Sequence, residues 1–502
     1  MPRVVGARVG SENPIVLASN LLKVPQCVRV RLNNFPIDPS QLTPEGRRML
    51  PLPPPPPPVP LREVILSNLA LASLRGYLGL FAGTGLSKAA TSGAAPGFEE
   101  LLKQAAERLG LSSDFESLPF RRKSLPQVAS ALVGQIRDSG YPADPAERLR
   151  QAIADLCAFA PDPSVEKRLG GALRAVQPGW IITTNYDLVL EALIEDAEGT
   201  LPTQPLVARP DRVPIYHLHG HRHEPSSIRV TEEDYVTLLA PIDYQRLKLP
   251  LLLIESATLM LGYSLGDINV RSAMEWSRSF RGSSSLRLHP YQGIVVQALW
   301  TPSPCADPYT GSNDEFIVEI SDVTAFLEEL AIARLRIDGS IRQTTADIHQ
   351  FLSDTTNAMG VATDAAKKAD FLNIVQHAMP YCSTSRLIDF MAQVLDPVWV
   401  LTRENGAFSY YDLYLSLTLD ILARLTLTSA NPNLVRYLGK SLNRVGSKIN
   451  PLKPLGSAHD ATDRWIADHR MIPSAVAREL RLFSMEADNG GLARMLSFVA
   501  PW

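Results

Sequence analysis

YLGLFAGTG, residues 77–85, decides how the chain is read. Its first six residues carry no charge, and two glycines follow at 83 and 85. A short apolar run closed by a glycine turn predicts a strand buried on both faces that ends in a tight loop. Similar runs recur at GWIITTNYD (179–187), VPIYHLHG (213–220), ATLMLGYSL (257–265), GIVVQALW (293–300) and EFIVEIS (315–321). Helical patterns lie between them: FEELLKQAAERLG (98–110), closed by Gly110, LVLEALIEDA (188–197), and stretches near 268–279 and 322–334. SSIRVTEEDYVTLL (226–239) reads as a short strand, then a helix opened by Thr231. Strands alternating with helices predict an α/β fold, a doubly wound (Rossmann-like) and mostly parallel sheet.

Positions 111–175 interrupt the alternation with helical sequence, which predicts a small helical insertion. From 336 onward the pattern is helical throughout, as in RLIDFMAQVL (386–395) and YYDLYLSLTLDILARL (410–425). At the other end, residues 1–50 hold Arg3, Arg8, Lys23, Arg29, Arg31, Arg47 and Arg48 against Glu12, Asp38 and Glu45. Six consecutive prolines follow within 51–61; fixed φ angles and missing donors make this a stiff polyproline II spacer. The expected organisation is a basic N-terminal arm (1–50), a proline-rich linker (51–61), an α/β domain (62–335) and an α-helical C-terminal domain (336–502).

The 502 residues suffice for a sizeable core, and the net charge of −3 implies neither nucleic acid nor a membrane surface as partner. Weak nucleic-acid contact is left to the basic arm. The most apolar stretch, 249–265, carries Glu255 and reads as a helix end plus a buried strand rather than a membrane span. Four dispersed cysteines, with no C-x-x-C pair, favour a reducing cytoplasm over a disulfide framework or a zinc ribbon.

Four stretches carry candidate chemistry. In GTGLS (83–87), Gly83 and Gly85 allow backbone N–H groups to approach a phosphate, and Thr84 and Ser87 add hydroxyls. This is neither G-x-G-x-x-G nor a P-loop. In TTNYD (183–187), Asn185 and Asp187 fall at a strand's carboxyl end, where open α/β sheets bind ligands; capping of the next helix is an equal reading for Asp187. In YHLHGHRHEP (216–225), four histidines stand at alternate positions. A strand would put His217 and His219 on one face, and His221 and His223 would fall in the loop beyond. Zinc would need three or four ligands, and no further histidine or cysteine pair is signalled, so no metal is expected. In LMLGYSLGDINVR (259–271), Gly262 and Ser264 form a turn before Asp267 and Asn269 open a helix.

Taken in order, these four motifs resemble those of the SIR2-like (sirtuin-related) family, and in particular the bacterial SIR2-like NAD-hydrolysing proteins of anti-phage defence. The resemblance covers roughly residues 75–335. It implies NAD as the substrate, with Gly83, Thr84, Gly85 and Ser87 in the phosphate-binding loop. It implies Asn185 and Asp187 beside the nicotinamide and ribose, and His219 as the catalytic histidine. It implies Gly262, Ser264, Asp267 and Asn269 near the adenosine half. His217 would then pack against or orient His219, with His221 and His223 solvated. Sirtuin deacylases carry a four-cysteine zinc module that is absent here, and the arginine of their G-x-P-x-F-R segment is replaced by Glu99, which is expected to point away.

The implied activity is hydrolysis of NAD to ADP-ribose and nicotinamide, held in check until a defence trigger arrives. The implied partners are copies of the chain itself and an ATPase, a short Argonaute or a phage protein. Two rivals stay open: an NAD-dependent protein deacylase, and a non-catalytic module that binds NAD or ADP-ribose.

Overall fold

The computed structural model describes residues 60–499, apart from 116, 118–120, 142–143, 206–211, 239–243, 264–267, 280–290, 405–409, 426–430 and 450–455. The expected basic arm, and the proline-rich linker up to residue 59, lie outside the described residues. Eight strands form one sheet: β1 (Leu78–Ala82), β2 (Trp180–Thr183), β3 (Ala197–Thr200), β4 (Val213–His217), β5 (Ala257–Leu261), β6 (Val295–Trp300), β7 (Tyr309–Thr310) and β8 (Phe316–Ile320). Their order is β3-β4-β2-β1-β5-β6-β8-β7. All neighbours run parallel except β7 and β8. The chain winds from β1 out through β2 to β4, then returns to β5 on the other side of β1. That reversal opens a crevice at the carboxyl ends of β1 and β5.

The strands sort their side chains by alternation. Leu80, Ile181, Leu259 and Val296 face one core; Phe81, Ile182, Met260 and Val295 face the other. The helices of this region are α1 (Leu61–Leu74), α2 (Thr84–Ala90), α3 (Phe98–Arg108), α4 (Leu125–Asp138), α5 (Pro145–Leu156), α6 (Pro163–Val176), α7 (Val189–Leu193), α8 (Glu232–Leu238), α9 (Tyr244–Glu255) and α10 (Ile268–Ser279). α1 and α6 cover the first face with Leu66, Leu69, Leu169 and Leu173. α9 and α10 cover the second with Leu249, Leu253, Val270 and Met274. The doubly wound α/β class expected from the sequence is the fold observed.

Details differ where local sequence misleads. The predicted strand at 226–230 is a 3-10 turn, Pro225–Ser227, followed by extended chain that forms no strand. Arg229 N–H does reach the His219 carbonyl, at 2.8 Å, but no ladder follows. The helix read over 188–197 stops at Leu193, and Ala197–Thr200 adds the polar edge strand β3. The insertion is also redrawn. α3, α4 and α5 share a separate core of Leu102, Val128, Leu132, Leu149 and Ile153. α6 does not join it, because its apolar face is spent on the sheet. The helical module is therefore 98–156 rather than 111–175.

The boundary expected at 335–336 falls inside one uninterrupted helix, α11 (Val323–Ser353), 31 residues and about 46 Å long. Its first turns put Phe326, Leu327 and Leu330 into the sheet's core. Its last turn carries Phe351, whose ring lies 6.0 Å from Phe371 and 5.9 Å from Phe390. Those rings belong to α13 (Ala365–Ala378) and α14 (Thr384–Glu404), which follow the short α12 (Thr355–Gly360). The remaining helices are α15 (Tyr411–Ala423), α16 (Pro432–Gly446), α17 (Ser457–Asp468), α18 (Ser474–Ser484) and α19 (Gly490–Ser497).

α15 is buried from Asp412 to Leu422, as a helix apolar on nearly every side must be. Asp420 on it meets Lys368 at 2.7 Å and Arg424 at 3.1 Å, all three buried. Burial pulls the Lys368 ammonium below its usual range, opposed by Asp420. Removing Lys368 leaves Asp420 with Arg424 and loses the shorter of these two buried contacts. Lys368→Met is expected to lower the unfolding free energy by about 3 kcal/mol, read as an earlier denaturant midpoint.

Candidate functional site

A cleft of about 870 Å³ opens at the carboxyl ends of the strands. The loops after β1, β2, β4 and β5 supply Thr84, Asn185, His219 and Gly262 to its lining. The helical module supplies an apolar wall that includes Phe98, Leu125 and Pro126, continued by Phe159.

The floor is built from glycine against glycine. Gly83 N–H donates to the Leu261 carbonyl and Gly85 N–H to the Gly262 carbonyl, each at 2.9 Å. A Cβ on Gly83 would lie 2.4 Å from the Gly262 oxygen, and one on Gly85 would lie 2.6 Å from the Gly262 Cα. Gly262 has φ +60°, and its own Cβ would stand 2.3 Å from the Leu86 nitrogen. The sequence predicts that these glycines let backbone N–H groups approach a phosphate; the N–H groups of Gly83 and Gly85 are not themselves free for one. The structure spends both inside the protein, because two loops meet backbone to backbone.

Asn185 and Asp187 are held from the β1 side. The Asn185 side-chain amide donates to Ser87 Oγ at 2.9 Å, and its Oδ1 accepts from the Thr84 hydroxyl at 3.3 Å. The Ser87 hydroxyl donates to Asp187 Oδ2 at 2.9 Å, while Asp187 Oδ1 accepts from Val189 N–H at 3.1 Å. Asp187 thus accepts from the first backbone N–H of α7 and ties Ser87, besides lining the cleft. Burial pushes its carboxyl above the usual range, against the hydrogen bonds from Val189 and Ser87. Ser87 is buried and absent from the cleft lining. Thr183 fixes the start of the same loop: its hydroxyl donates to the Ala82 carbonyl and accepts from Asn185 N–H.

The histidines separate. β4 ends at His217, and the chain turns through Leu218 and His219 to Gly220, whose φ is +79°. The strand expected to carry both His217 and His219 on one face ends at His217, and His219 falls in the turn. His219 lines the cleft, its ring 5.1 Å from that of Tyr235 and its Nδ1 3.5 Å from the Tyr235 hydroxyl. His217 is fully buried, with Nε2 2.7 Å from Glu191 Oε1 and Nδ1 3.2 Å from the Asn185 carbonyl oxygen. His221, expected in solvent, is half-buried with its ring 5.0 Å from His217; burial, then His217, holds its imidazole below the usual range. His223 is exposed. Among the described residues no group of three or more His, Cys, Asp or Glu could hold a metal ion.

Ser264 and Asp267 lie outside the described residues; Asn269 stands on α10, with its side chain undescribed. Glu99 pairs with Lys103 at 2.6 Å on the exposed side of α3, away from the lining. The sequence reading missed Lys88, Glu232, Tyr235 and Cys157, all in the lining. Lys88 directly follows Ser87, so the motif itself pointed to it. Tyr235 and Cys157 carried no local signal, because helices distant in sequence bring them in. Burial pushes the Cys157 thiol up to about 12, which makes it a poor nucleophile at neutral pH.

Two outcomes are expected. Gly262→Ala forces a Cβ into backbone atoms at a left-handed φ and should cost about 2 kcal/mol or more in unfolding free energy, read by denaturant titration. Cys157 should stay unmodified when the folded protein is treated with iodoacetamide at neutral pH, as mass spectrometry of its peptides would show.

Comparison with known proteins places this geometry. Residues 179–304, from the start of β2 to just past β6, match the family model described as SIR2-like domain. The match spans about a quarter of the chain and begins after the GTGLS turn. No curated protein matches the chain. None of the described helices is long and apolar enough to cross a membrane. Asn185, His219 and Gly262 all fall within the matched segment, and this part of the chain is similar to a SIR2-like domain.

Proposed function

We propose that the protein hydrolyses NAD⁺ to ADP-ribose and nicotinamide. The observation that carries this reading is the meeting of Asn185 and His219 in one cleft, from the ends of the neighbouring strands β2 and β4. The cleft's volume lies within the range of small-molecule sites, about 300–1,000 Å³. Phe98 and Phe159 offer an apolar wall to a planar ring, while Thr84 and Asn185 offer polar groups to ribose hydroxyls.

In the reaction the bond between C1′ and the nicotinamide nitrogen breaks, and its electron pair leaves with nicotinamide. A water oxygen bonds to C1′ and releases one proton. No covalent nucleophile is needed. Asn185, its amide oriented by Ser87 and Thr84, positions the water or the ribose. His219 accepts the proton, a task suited to an imidazole at neutral pH. The walls of the cleft keep competing groups away from the charge that develops at C1′.

Unrestrained, such an enzyme would drain its own cell's NAD. We read the protein as a regulated effector of the anti-phage kind, working as a homo-oligomer or with a defence partner such as an ATPase, a short Argonaute or a phage protein. The motif resemblance supports this, and the C-terminal helices are the natural place for assembly.

The test uses purified full-length protein and NAD⁺ with no peptide, following nicotinamide release. The wild type should release nicotinamide, and His219→Ala and Asn185→Ala should each slow release by about 100-fold or more. Release that needs an acylated peptide would replace this reading with a deacylase.

A further inference from the structure

We propose that His217 and Glu191 act as a positioning pair that holds Asn185 in place through its backbone carbonyl. The inference rests on the hydrolase reading of the same cleft. His217 is fully buried and is not itself among the residues that line the cleft. A buried imidazole needs a partner on each nitrogen. Here Nδ1 is 3.2 Å from the Asn185 carbonyl oxygen, and Nε2 is 2.7 Å from Glu191 Oε1.

The carbonyl can only accept, so Nδ1 donates. The Nε2 contact then needs a further proton, either on the imidazole or on the carboxyl. Without it, a ring lone pair would face a carboxylate oxygen at 2.7 Å. In either arrangement Nδ1 keeps its proton aimed at the Asn185 carbonyl, and the Nε2 contact anchors the far side of the ring.

The surroundings fit this arrangement. Glu191 Oε2 is buried without a hydrogen-bond partner, so the carboxylate is committed to His217. On β3, Gly199 leaves room for it: a Cβ there would lie 2.8 Å from Glu191 Oε1. Asp187 and the His221 ring are the other titratable groups beside His217. Glu191 on α7 thus holds His217 on β4, which reaches the carbonyl of the residue whose side chain enters the cleft. The side chain of Asn185 is held by hydroxyls from the β1 loop, and its backbone by the β4 histidine.

Three variants of the full chain test this, with NAD⁺ as substrate. Glu191→Leu takes away the partner of Nε2 and with it the anchor of the ring. His217→Leu removes the donor. Glu191→Gln keeps the tautomer, because its amide can donate to Nε2. Each is first matched to the wild type by circular dichroism and unfolding midpoint. The two Leu variants should lose kcat by about 10- to 100-fold with KM within about threefold, and Glu191→Gln should recover most of the loss.

A folded Glu191→Leu protein with wild-type kcat would overturn the proposal, as would equal losses in Gln and Leu. Should the wild type release no nicotinamide, the hydrolase reading fails by itself. The pair is then judged by the Asn185 side-chain amide resonance in protein with isotope-labelled asparagine, assigned by its loss in Asn185→Ala. A resonance displaced in the Leu variants and restored in Gln supports the pair; one unmoved in all three overturns it.

Discussion

Backbone packed on backbone, between the turn after β1 and the turn after β5, is the contact on which the rest of this structure depends. Side chains cannot intervene there: Gly83, Gly85 and Gly262 approach so closely that a single methyl would overlap peptide atoms. The contact fixes the gap between the two central strands at the point where the winding reverses. Thr84 and Ser87 are carried on one side of that gap, and they fix Asn185 and Asp187. The candidate site inherits its geometry from a glycine interlock rather than from any one catalytic side chain.

A polar network then converts strand position into side-chain position. Asn185 is gripped by Ser87 and Thr84 through its amide and by His217 through its carbonyl. The first grip comes from α2 and the second from the end of β4. In a buried setting such bonds are strong when satisfied and costly when broken, so the network resists partial rearrangement. Asp187 accepts both from the Ser87 hydroxyl and from the Val189 N–H, so it joins the start of α7 to this network.

How much of this the sequence revealed follows from what it encodes locally. Buried parallel strands are short apolar runs, and six of the eight were legible for that reason; β3 and β7 are short edge strands without an apolar signal. The cluster of Thr84, Asn185, His219 and Gly262 could be foreseen because each ends a readable strand. The strand read through both His217 and His219 ends at the first of them, and a turn carries the second. The apolar wall and Tyr235 could not be foreseen. They reach the cleft through contacts between helices far apart in sequence, and no window of sequence encodes such contacts. The same holds for α3, whose amphipathic face is plain but whose partner is α5 and not the sheet.

The unbroken α11 has a mechanical consequence. A helix of this length bends only by giving up hydrogen bonds along its axis, and it contains no proline to ease that loss. One end is anchored in the sheet's core and the other among the phenylalanines of the C-terminal helices. Those helices cannot swing as a separate body on a loose tether. A push on the far end reaches the sheet as a tilt of a stiff rod, and a fragment cut at residue 335 would sever that rod in mid-helix.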